Sequence, residues 1–497
     1  MKNIVLIGLP GSGKTTAGRL LSERVGWRFV DLDEEIEKIG GATVKEIYHR
    51  TGEHEFRELE SKTVFRLIEE QETIQKGEGA DNHAAGVGLI IATGGGVVLR
   101  EENVSILRKN GFLVFLDRKP EDISRDIESE SRPLFQDRSD SFPQMSQRRR
   151  PIYLKSADLV IDMSGGIEAA LIDLTIVREV LAEPGYAVIG DPIGHSLSPM
   201  LHGILFAAQG IDAHYWAIHV PKDKLSAFTA AVRASDLKGF NVTIPHKQQI
   251  MPLLDELDPE AQLCGAVNTV VNRNGRLHGY NTDAEGFCSA LSQSGHRFFK
   301  RNVVLIGTGG AARAIAVKAV LERAESLHII ARDIHKAEKL AGEITEFAEK
   351  KVEAIAELKA TRQTVGRDSF REEMITTITF DELRGGGFFL ERNRHDLLIN
   401  ATPLGMKGFP EDHARLDFLE RLLPDNSLVC DLIYSPPETT LLRKARELGI
   451  ETLNGMSMLI YQALRAQELF LDRSHSRSLD REQLFSAASE QLNKHFA

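Results

Sequence analysis

Three groups of residues in this chain have the types and spacing that chemistry needs. The first is Gly8-Leu-Pro-Gly-Ser-Gly-Lys14-Thr15, a GxxxxGK[ST] pattern between an apolar strand (4–7) and a helical stretch (16–25). There the glycines let backbone N–H groups close on a polyphosphate, and the helix N-terminus adds a favourable dipole. Lys14 reaches the β- and γ-phosphates and the Thr15 hydroxyl ligates Mg²⁺. Gly11, Ser12, Gly13, Lys14, Thr15 and Thr16 thus form an expected ATP site. The second group centres on Lys247. Phe240, Val242 and Ile244 alternate with Asn241 and Thr243, as in a strand with one buried face, and Pro245 ends it. Lys247 therefore lies just past a strand's carboxyl end, where open α/β sheets place their ligands. Segments 267–272 and 276–281 flank Arg273-Asn274-Gly275, a hairpin signal. Closing that hairpin gathers Asn268, Thr282 and Asp283 at one end, a polar set suited to a small polyol or hydroxy acid. The third group is Gly307-Thr-Gly309-Gly310-Ala311-Ala312-Arg313. It is a GxGxxA turn after the strand 303–306 and before a helix at 315–323, the setting of a dinucleotide site.

Elements that could hold these groups follow from length and punctuation. At 497 residues the chain exceeds one ordinary core, and two to four domains are expected. Composition is that of a globular protein, 42% hydrophobic and 27% charged, and no internal repeat is present. A formal net charge of −11 argues against nucleic acid or a membrane surface as a general partner. The short basic run Arg148-Arg149-Arg150 lies in acidic surroundings and does not alter that. Cys264, Cys288 and Cys430 form no CxxC pair, so neither a disulfide framework nor a zinc site is expected, and a reducing cytoplasm is the natural compartment. His195 and His202 lack a third metal ligand. No apolar run approaches the roughly 18 residues of a membrane span, and residues 1–8 read as a first strand rather than a signal peptide.

Helical spacing over 167–181 closes the first domain, Glu183-Pro184-Gly185 punctuates, and a new strand begins at Tyr186. The fold class is α/β. Residues 1–183 form a parallel-sheet nucleotide domain with helices on both faces. Residues 184–298, completed by 455–497, form an α/β lobe, and 299–454 form a Rossmann lobe. In the first domain, Asp31 and Asp33 are read at the end of a second strand, on one face at i and i+2. Segment 71–88 is expected to be an inserted surface loop and 346–390 a charged, irregular surface segment.

The wording of the second group resembles a known family. Asn241-Val-Thr-Ile-Pro-His-Lys247, Gly265-Ala-Val-Asn-Thr269, Gly279-Tyr-Asn-Thr-Asp283 and Gly190-Asp-Pro-Ile-Gly-His-Ser196-Leu-Ser198 resemble shikimate dehydrogenase. The resemblance implies a Lys247/Asp283 catalytic pair, Asn268 and Thr243 on substrate hydroxyls, and Ser196 and Ser198 on the substrate carboxylate. It extends through Asn400-Ala-Thr-Pro-Leu-Gly405, Asp431-Leu-Ile-Tyr434 and Asn454-Gly455-Met-Ser-Met458 to Gln462. Tyr434 and Gln462 are implied at the substrate; Asn400, Gly455 and Met458 are implied at the nicotinamide side, with Gly307, Gly309, Gly310, Ala311 and Ala312 on the cofactor. The strand 326–331 ends at Arg332-Asp333. The family's arginine at position 332 implies NADPH, while Asp333 leaves NAD open.

Residues 1–180 resemble shikimate kinase, through Asp31-Leu-Asp33, Arg57-Glu58-Leu-Glu60, Gly94-Gly95-Gly96, Arg132-Pro-Leu134 and Arg149-Arg-Pro-Ile-Tyr153. Shikimate is then expected on Asp33, Arg57, Gly94, Gly95, Gly96 and Arg149, with Mg²⁺ at Thr15 and Asp31. Asp33 accepts the proton of the attacking hydroxyl, and Arg57 grips the carboxylate as a bidentate donor. Arg132 belongs to a lid and Arg125 to the adenine side. The expected function is bifunctional: NADPH-dependent reduction of 3-dehydroshikimate and phosphorylation of shikimate by MgATP. The alternatives are a quinate dehydrogenase using NAD in the second half, or one half acting as a non-catalytic ligand sensor. Partners are these small molecules, and no obligate protein partner is indicated.

Overall fold

The computed structural model describes residues 2–75, 88–129, 142–182, 184–194, 196–360, 374–385, 396–406, 419, 422–423, 426–472 and 480–496. They form two compact units, Met1–Gly185 with Ile218–Lys238, and Tyr186–Ala217 with Gly239–Ala497.

The first unit is built on β1 (Asn3–Ile7), β2 (Arg28–Asp31), β3 (Leu89–Ala92), β4 (Gly111–Asp117) and β5 (Leu159–Asp162), all paired in parallel in the order β2-β3-β1-β4-β5. The near-continuous apolar runs of β1, β3 and β4 are buried throughout, as strands covered by helices on both faces must be. Val5, Ile7, Leu89, Ile91, Leu113 and Phe115 share one core with Val64, Leu67, Leu107 and Tyr153 of the helices. β1 is central, so the loop after it emerges where the strand order reverses. The structure corrects the expected end of β2. β2 stops at Asp31, whose side chain accepts from the Asp33 N–H and caps the helix Leu32–Gly40. The two carboxylates are thus a helix cap and a first-turn residue, because an Asx cap ends the strand sooner than alternation suggests. In segment 71–88, the helix Glu53–Gln75 continues through Gln75, and residues 76–87 lie outside the described residues.

Two further sheets lie mostly in the second unit. One contains β6 (Gly185–Gly190), β7 (Tyr215–His219), β8 (Leu237–Val242), β9 (Glu256–Leu257), β10 (Thr269–Arg273) and β11 (Arg276–Tyr280), in the order β7-β6-β8-β10-β11-β9. β10 is antiparallel to β8 and to β11. The expected hairpin turns through Asn274 (φ 55°) and Gly275 (φ 86°), the two left-handed residues of a type I′ turn. The other sheet is parallel, with β12 (Asn302–Ile306), β13 (Ser326–Ala331), β14 (Ile375–Thr379), β15 (Leu397–Asn400), β16 (Leu428–Asp431) and β17 (Glu451–Leu453) in the order β14-β13-β12-β15-β16-β17. That is the doubly wound dinucleotide order. Segment 346–390 departs from its expected irregularity. The helix Ile334–Ala360 runs through its start, on Ala, Glu and Lys residues that favour helix, and β14 adds an edge strand paired with β13. Gly386 and Gly387 of its glycine run are outside the described residues. The helices Asp283–Gln293 and Gly455–Phe470 pack together, with Gly286 at their contact. A Cβ there would lie 2.8 Å from both the Cβ and the backbone N of Gln462.

Candidate active sites

In the first unit the phosphate loop has the backbone its glycines allow. Gly8, Gly11 and Gly13 have φ of 150°, 80° and 92°, and the helix Lys14–Val25 starts directly behind them. Lys14 folds back so that its Nζ donates to the carbonyls of Gly8 (3.0 Å) and Leu9 (2.8 Å). Burial lowers its pKa to about 8, against the pull of Asp33 and Asp31. The Ser12 Oγ is buried without a hydrogen-bond partner. A loop with left-handed glycines, an orphaned hydroxyl and an ammonium held by the loop's own carbonyls fits a polyphosphate. Beside it the Thr15 hydroxyl donates to Asp31 Oδ2 at 2.7 Å. Two hard oxygen groups suit a magnesium ion that keeps most of its water. Thr16 lies in the first turn of the same helix.

Asp33 lies in the first turn of the helix Leu32–Gly40. Burial first, then the Asp31 carboxylate, raise its pKa to about 6. A Cβ on Gly94 would meet Asp33 Oδ1 at 2.7 Å, and one on Gly96 would lie 2.2 Å from both Nη atoms of Arg57. The glycine turn thus leaves open backbone against an acid and a guanidinium. Arg57 Nη1 donates to Glu60 Oε1 (2.9 Å) and Oε2 (2.8 Å), and Glu60 is buried. Arg149 Nη1 and the Tyr153 hydroxyl both donate to the Gly95 carbonyl, at 3.2 Å and 2.5 Å. Tyr153 is stacked on Phe115 with centroids 5.0 Å apart. Glu60 and Tyr153 lie within the sequence motifs without an expected role. The i, i+3 spacing of Arg57 and Glu60 was the available signal for the first. Arg125 stands apart, 76% exposed and paired with Asp122. Arg118 is nearer the loop, donating to the Gly11 carbonyl at 3.2 Å. Arg132 falls outside the described residues.

In the second unit Lys247 and Asp283 meet, Nζ to Oδ2 at 2.5 Å. Asn268 Nδ2 donates to Asp283 Oδ1 at 2.7 Å and to Thr282 Oγ1 at 3.0 Å. The Thr282 N–H donates to Asn268 Oδ1 at 2.8 Å, which fixes the amide's orientation. The polar groups expected at one end of the hairpin are brought together. Thr243 follows β8, half-buried, its N–H donating to the Ile189 carbonyl at 3.0 Å. Ser196 Oγ accepts from the Ser198 N–H at 3.3 Å. Tyr434 is half-buried beside Leu201 and Met456, and Gln462 Nε2 donates to the Leu459 carbonyl. His195 is outside the described residues. His202 is fully buried and stacked on Tyr215, with neither ring nitrogen hydrogen-bonded.

The dinucleotide turn approaches this cluster from the second sheet. Gly307 has φ 118°, and a Cβ there would meet Ala401 O at 3.1 Å. A Cβ on Gly310 would lie 3.3 Å from Ala266 Cβ and 4.0 Å from Lys247 Cδ. The N-terminus of the helix Gly310–Leu321, with Ala311 and Ala312 in its first turn, therefore lies beside the lysine. Gly309 has nothing within 4 Å of a built Cβ, an open approach that fits a pyrophosphate. Arg332 is exposed at the end of β13. Asp333 accepts from the His335 N–H at 3.1 Å and faces Lys336 at 3.6 Å, so its carboxylate is occupied at a helix start. Asn400 is buried: its Nδ2 donates to Asp431 Oδ1 at 3.0 Å and its Oδ1 accepts from Thr402. That side chain joins the ends of β15 and β16. Gly455 lies against the Leu432 carbonyl, and Met458 is in the core with Phe287 and Leu305. A separate cavity of about 1040 Å³ among Glu285, Lys318, Tyr461, Glu482 and Phe485 contains none of the expected residues.

Comparison with known proteins gives matches in both units. Residues 10–181 match the shikimate kinase family, and residues 188–270 match the shikimate dehydrogenase substrate binding domain. A shikimate dehydrogenase (NADP(+)) of Symbiobacterium thermophilum is 40% identical over 302 residues, 60% of this chain and 94% of its own. That of Desulforamulus reducens is 38% identical over 285 residues, 57% of this chain and 88% of its own. Among solved structures, a shikimate dehydrogenase in complex with NADP+ aligns with a TM-score of 0.51 and 34% identity, over 62% of this chain and 95% of that one. A chorismate mutase/shikimate 5-dehydrogenase fusion protein from Clostridium acetobutylicum aligns with a TM-score of 0.52 and 29% identity, over 64% and 99%.

Proposed function

Since this chain belongs to the shikimate dehydrogenase family and carries a shikimate kinase domain at residues 10–181, we propose that its two sites handle the same hydroxyl in turn. It is a bifunctional shikimate-pathway enzyme, an NADP-dependent oxidoreductase and a kinase. 3-Dehydroshikimate is reduced to shikimate, and shikimate is phosphorylated on the hydroxyl so formed. When bound, NADPH supplies the hydride and MgATP the phosphoryl group. In the reduction, Lys247 gives its ammonium proton to the oxygen of the former carbonyl while Asp283 holds the amine in place. Asn268 and Thr243 orient the ring hydroxyls, Ser196 and Ser198 bind the carboxylate, and Tyr434 and Gln462 close round the ring. In the kinase, Arg57 and Arg149 hold the shikimate carboxylate, and Gly94, Gly95 and Gly96 give the ring room. Asp33 takes the proton from the attacking hydroxyl. Lys14 stabilises charge on the transferring phosphoryl group, Thr15 and Asp31 hold the magnesium ion, and Arg125 and Arg132 serve the nucleotide. NADPH is the reductant because Asp333 is occupied as a helix cap, which leaves Arg332 to grip the 2′-phosphate. We place the domain boundaries at 183, 298 and 454. No described helix is long and apolar enough to cross a membrane, and the small substrates suit a cytoplasmic protein.

The observation that carries the reading is the Lys247–Asp283 pair beside the start of the dinucleotide helix. The test is a coupled assay with 3-dehydroshikimate, NADPH and MgATP, followed for shikimate 3-phosphate. Lys14→Ala should lower kinase activity by orders of magnitude and leave NADPH oxidation intact. Lys247→Ala should do the reverse, with a loss of roughly 10²–10⁴-fold. A single lysine whose removal silences both activities in folded protein would refute the two-site assignment.

A further inference from the structure

Tyr215 has no assigned part in the reaction, yet its buried phenol opens a hydrogen-bonded path to the proposed site. It donates to Asn241 Oδ1 at 2.7 Å. Asn241 Nδ2 in turn donates to the Asn268 carbonyl at 3.1 Å and to Thr269 Oγ1 at 3.0 Å. The Thr269 hydroxyl donates to Asn268 Oδ1 at 3.0 Å, and Asn268 Nδ2 reaches Asp283, the partner of Lys247. Tyr215, Asn241, Asn268, Thr269, Thr282 and Asp283 are all buried, from 0% to 8% exposed. Every donor on this path is thus satisfied away from water, where a broken link is costly.

The ring is fixed as firmly as the hydroxyl. His202 lies parallel to it at 4° with centroids 4.2 Å apart, and it contributes no hydrogen bond from either nitrogen. Tyr215 and His202 therefore form a flat stacked pair, which sets the plane in which the phenol can point.

We infer that Tyr215 is a positioning residue of the reduction, holding through Asn241 and Thr269 the asparagine that would take a substrate hydroxyl and that bonds the partner of Lys247. Tyr215 lies on β7 and Asn268 at a hairpin end, and these side chains connect the two. This rests on the dehydrogenase reading given above. Its effect belongs to substrate geometry rather than to the cofactor, because no atom on the path belongs to the dinucleotide turn.

The test is Tyr215→Phe in the full chain, which keeps the stacked ring and removes only the hydroxyl. The expected result is a rise of about tenfold in KM for 3-dehydroshikimate, the scale of one lost buried hydrogen bond. The kcat should change less than threefold, and KM for NADPH and the kinase rate should not change. A folded variant with unchanged KM for 3-dehydroshikimate, or with both KM values raised together, overturns the inference. If Tyr215→Phe does not fold, Asn241→Ser interrupts the same path and carries the same expectations. Wild-type protein without dehydrogenase activity would instead refute the dehydrogenase reading itself, so the two failures are distinct.

Discussion

A carboxylate that must take a proton from a hydroxyl serves best when it is an uncomfortable anion. Burial and the neighbouring Asp31 raise Asp33 to about 6, and that discomfort has a sign in the stability of the fold. Between about pH 4 and pH 6 the folded state binds the Asp33 proton more tightly than the unfolded chain. Stability therefore falls as pH rises through that window, and the full cost is present above it. Asp33→Asn should accordingly stabilise the first unit by about 1–3 kcal/mol at pH 7.5 and by little at pH 4. It should also lower kinase turnover by roughly 10²–10⁴-fold. Denaturant midpoints at the two pH values measure the first effect, and a variant less stable than wild type at pH 7.5 would contradict it. In the wild type, kinase activity should fall as pH drops through about 6. Arg332 is a second single-residue case. Exposed at the end of β13, it has only a 2′-phosphate to distinguish two cofactors. Arg332→Ala should raise KM for NADPH at least tenfold while barely moving KM for NADH. Equal losses with both would pass the selective role to another residue.

At the scale of elements, the residues proposed for the chemistry are legible in the sequence wherever local rules govern them. The glycine pattern after β1, the Asn-Gly turn of the hairpin and the GxGxxA turn after β12 each demand a particular backbone, and each has it. Long-range packing was not legible. Nothing in local spacing says that Tyr215 of β7 reaches Asn241 of β8, since β6 lies between them. Nor could alternation reveal that Asp31 stops its strand to cap a helix. The charged segment after 346 looked irregular because its composition is polar, but polar helix formers on a surface helix look the same. The crossing of the helices Asp283–Gln293 and Gly455–Phe470 is of the same non-local kind. Gly286 allows the backbone of Gln462 to come close, and an added Cβ would stand 2.8 Å from it. Gly286→Ala must push apart the two helices that present Asp283 and Gln462. The expected cost is about 1–3 kcal/mol, with a several-fold higher KM for 3-dehydroshikimate and an unchanged kinase rate. Gly203→Ala is the control, since a Cβ there meets nothing within 4 Å, and it should stabilise its helix by up to about 1 kcal/mol. If the two substitutions had the same effect on stability and KM, close helix packing would not be why position 286 is glycine.

For the whole molecule, the first compact unit runs to Gly185, at the punctuation Glu183-Pro184-Gly185, and also takes in Ile218–Lys238. Within that unit the helix Gly166–Ala182 packs against Leu225–Ala234. The first of these is apolar around most of its circumference, with Leu171, Leu174, Ile176, Val177, Val180 and Leu181 all buried. A helix of that kind needs cover on more than one side. Helix Leu225–Ala234 buries Leu225, Phe228, Ala231 and Val232, and Lys224 Nζ meets Asp173 Oδ2 at 2.8 Å, with both side chains largely shielded. Burial pushes the Asp173 carboxyl up while Lys224 pulls it down; removing the lysine would leave a shielded, unpaired acid. A kinase fragment ending at Gly185 contains every residue proposed for the phosphoryl transfer but lacks this cover. It should retain activity in the cold and lose on the order of 2–5 kcal/mol of stability, from newly exposed apolar side chains and an unpaired Asp173. For a unit of this size that amounts to roughly 5–15 °C in thermal midpoint. The measurement is thermal inactivation of kinase activity in the fragment and in the full chain, at equal concentrations of ATP, Mg²⁺ and shikimate. Equal inactivation temperatures would mean that Ile218–Lys238 adds nothing to the kinase and that the sequence punctuation at 183–185 marks its true limit. A large gap would mean that part of the kinase's stability is encoded in residues matched by the dehydrogenase family model, and that the fused chain cannot be cut there without loss.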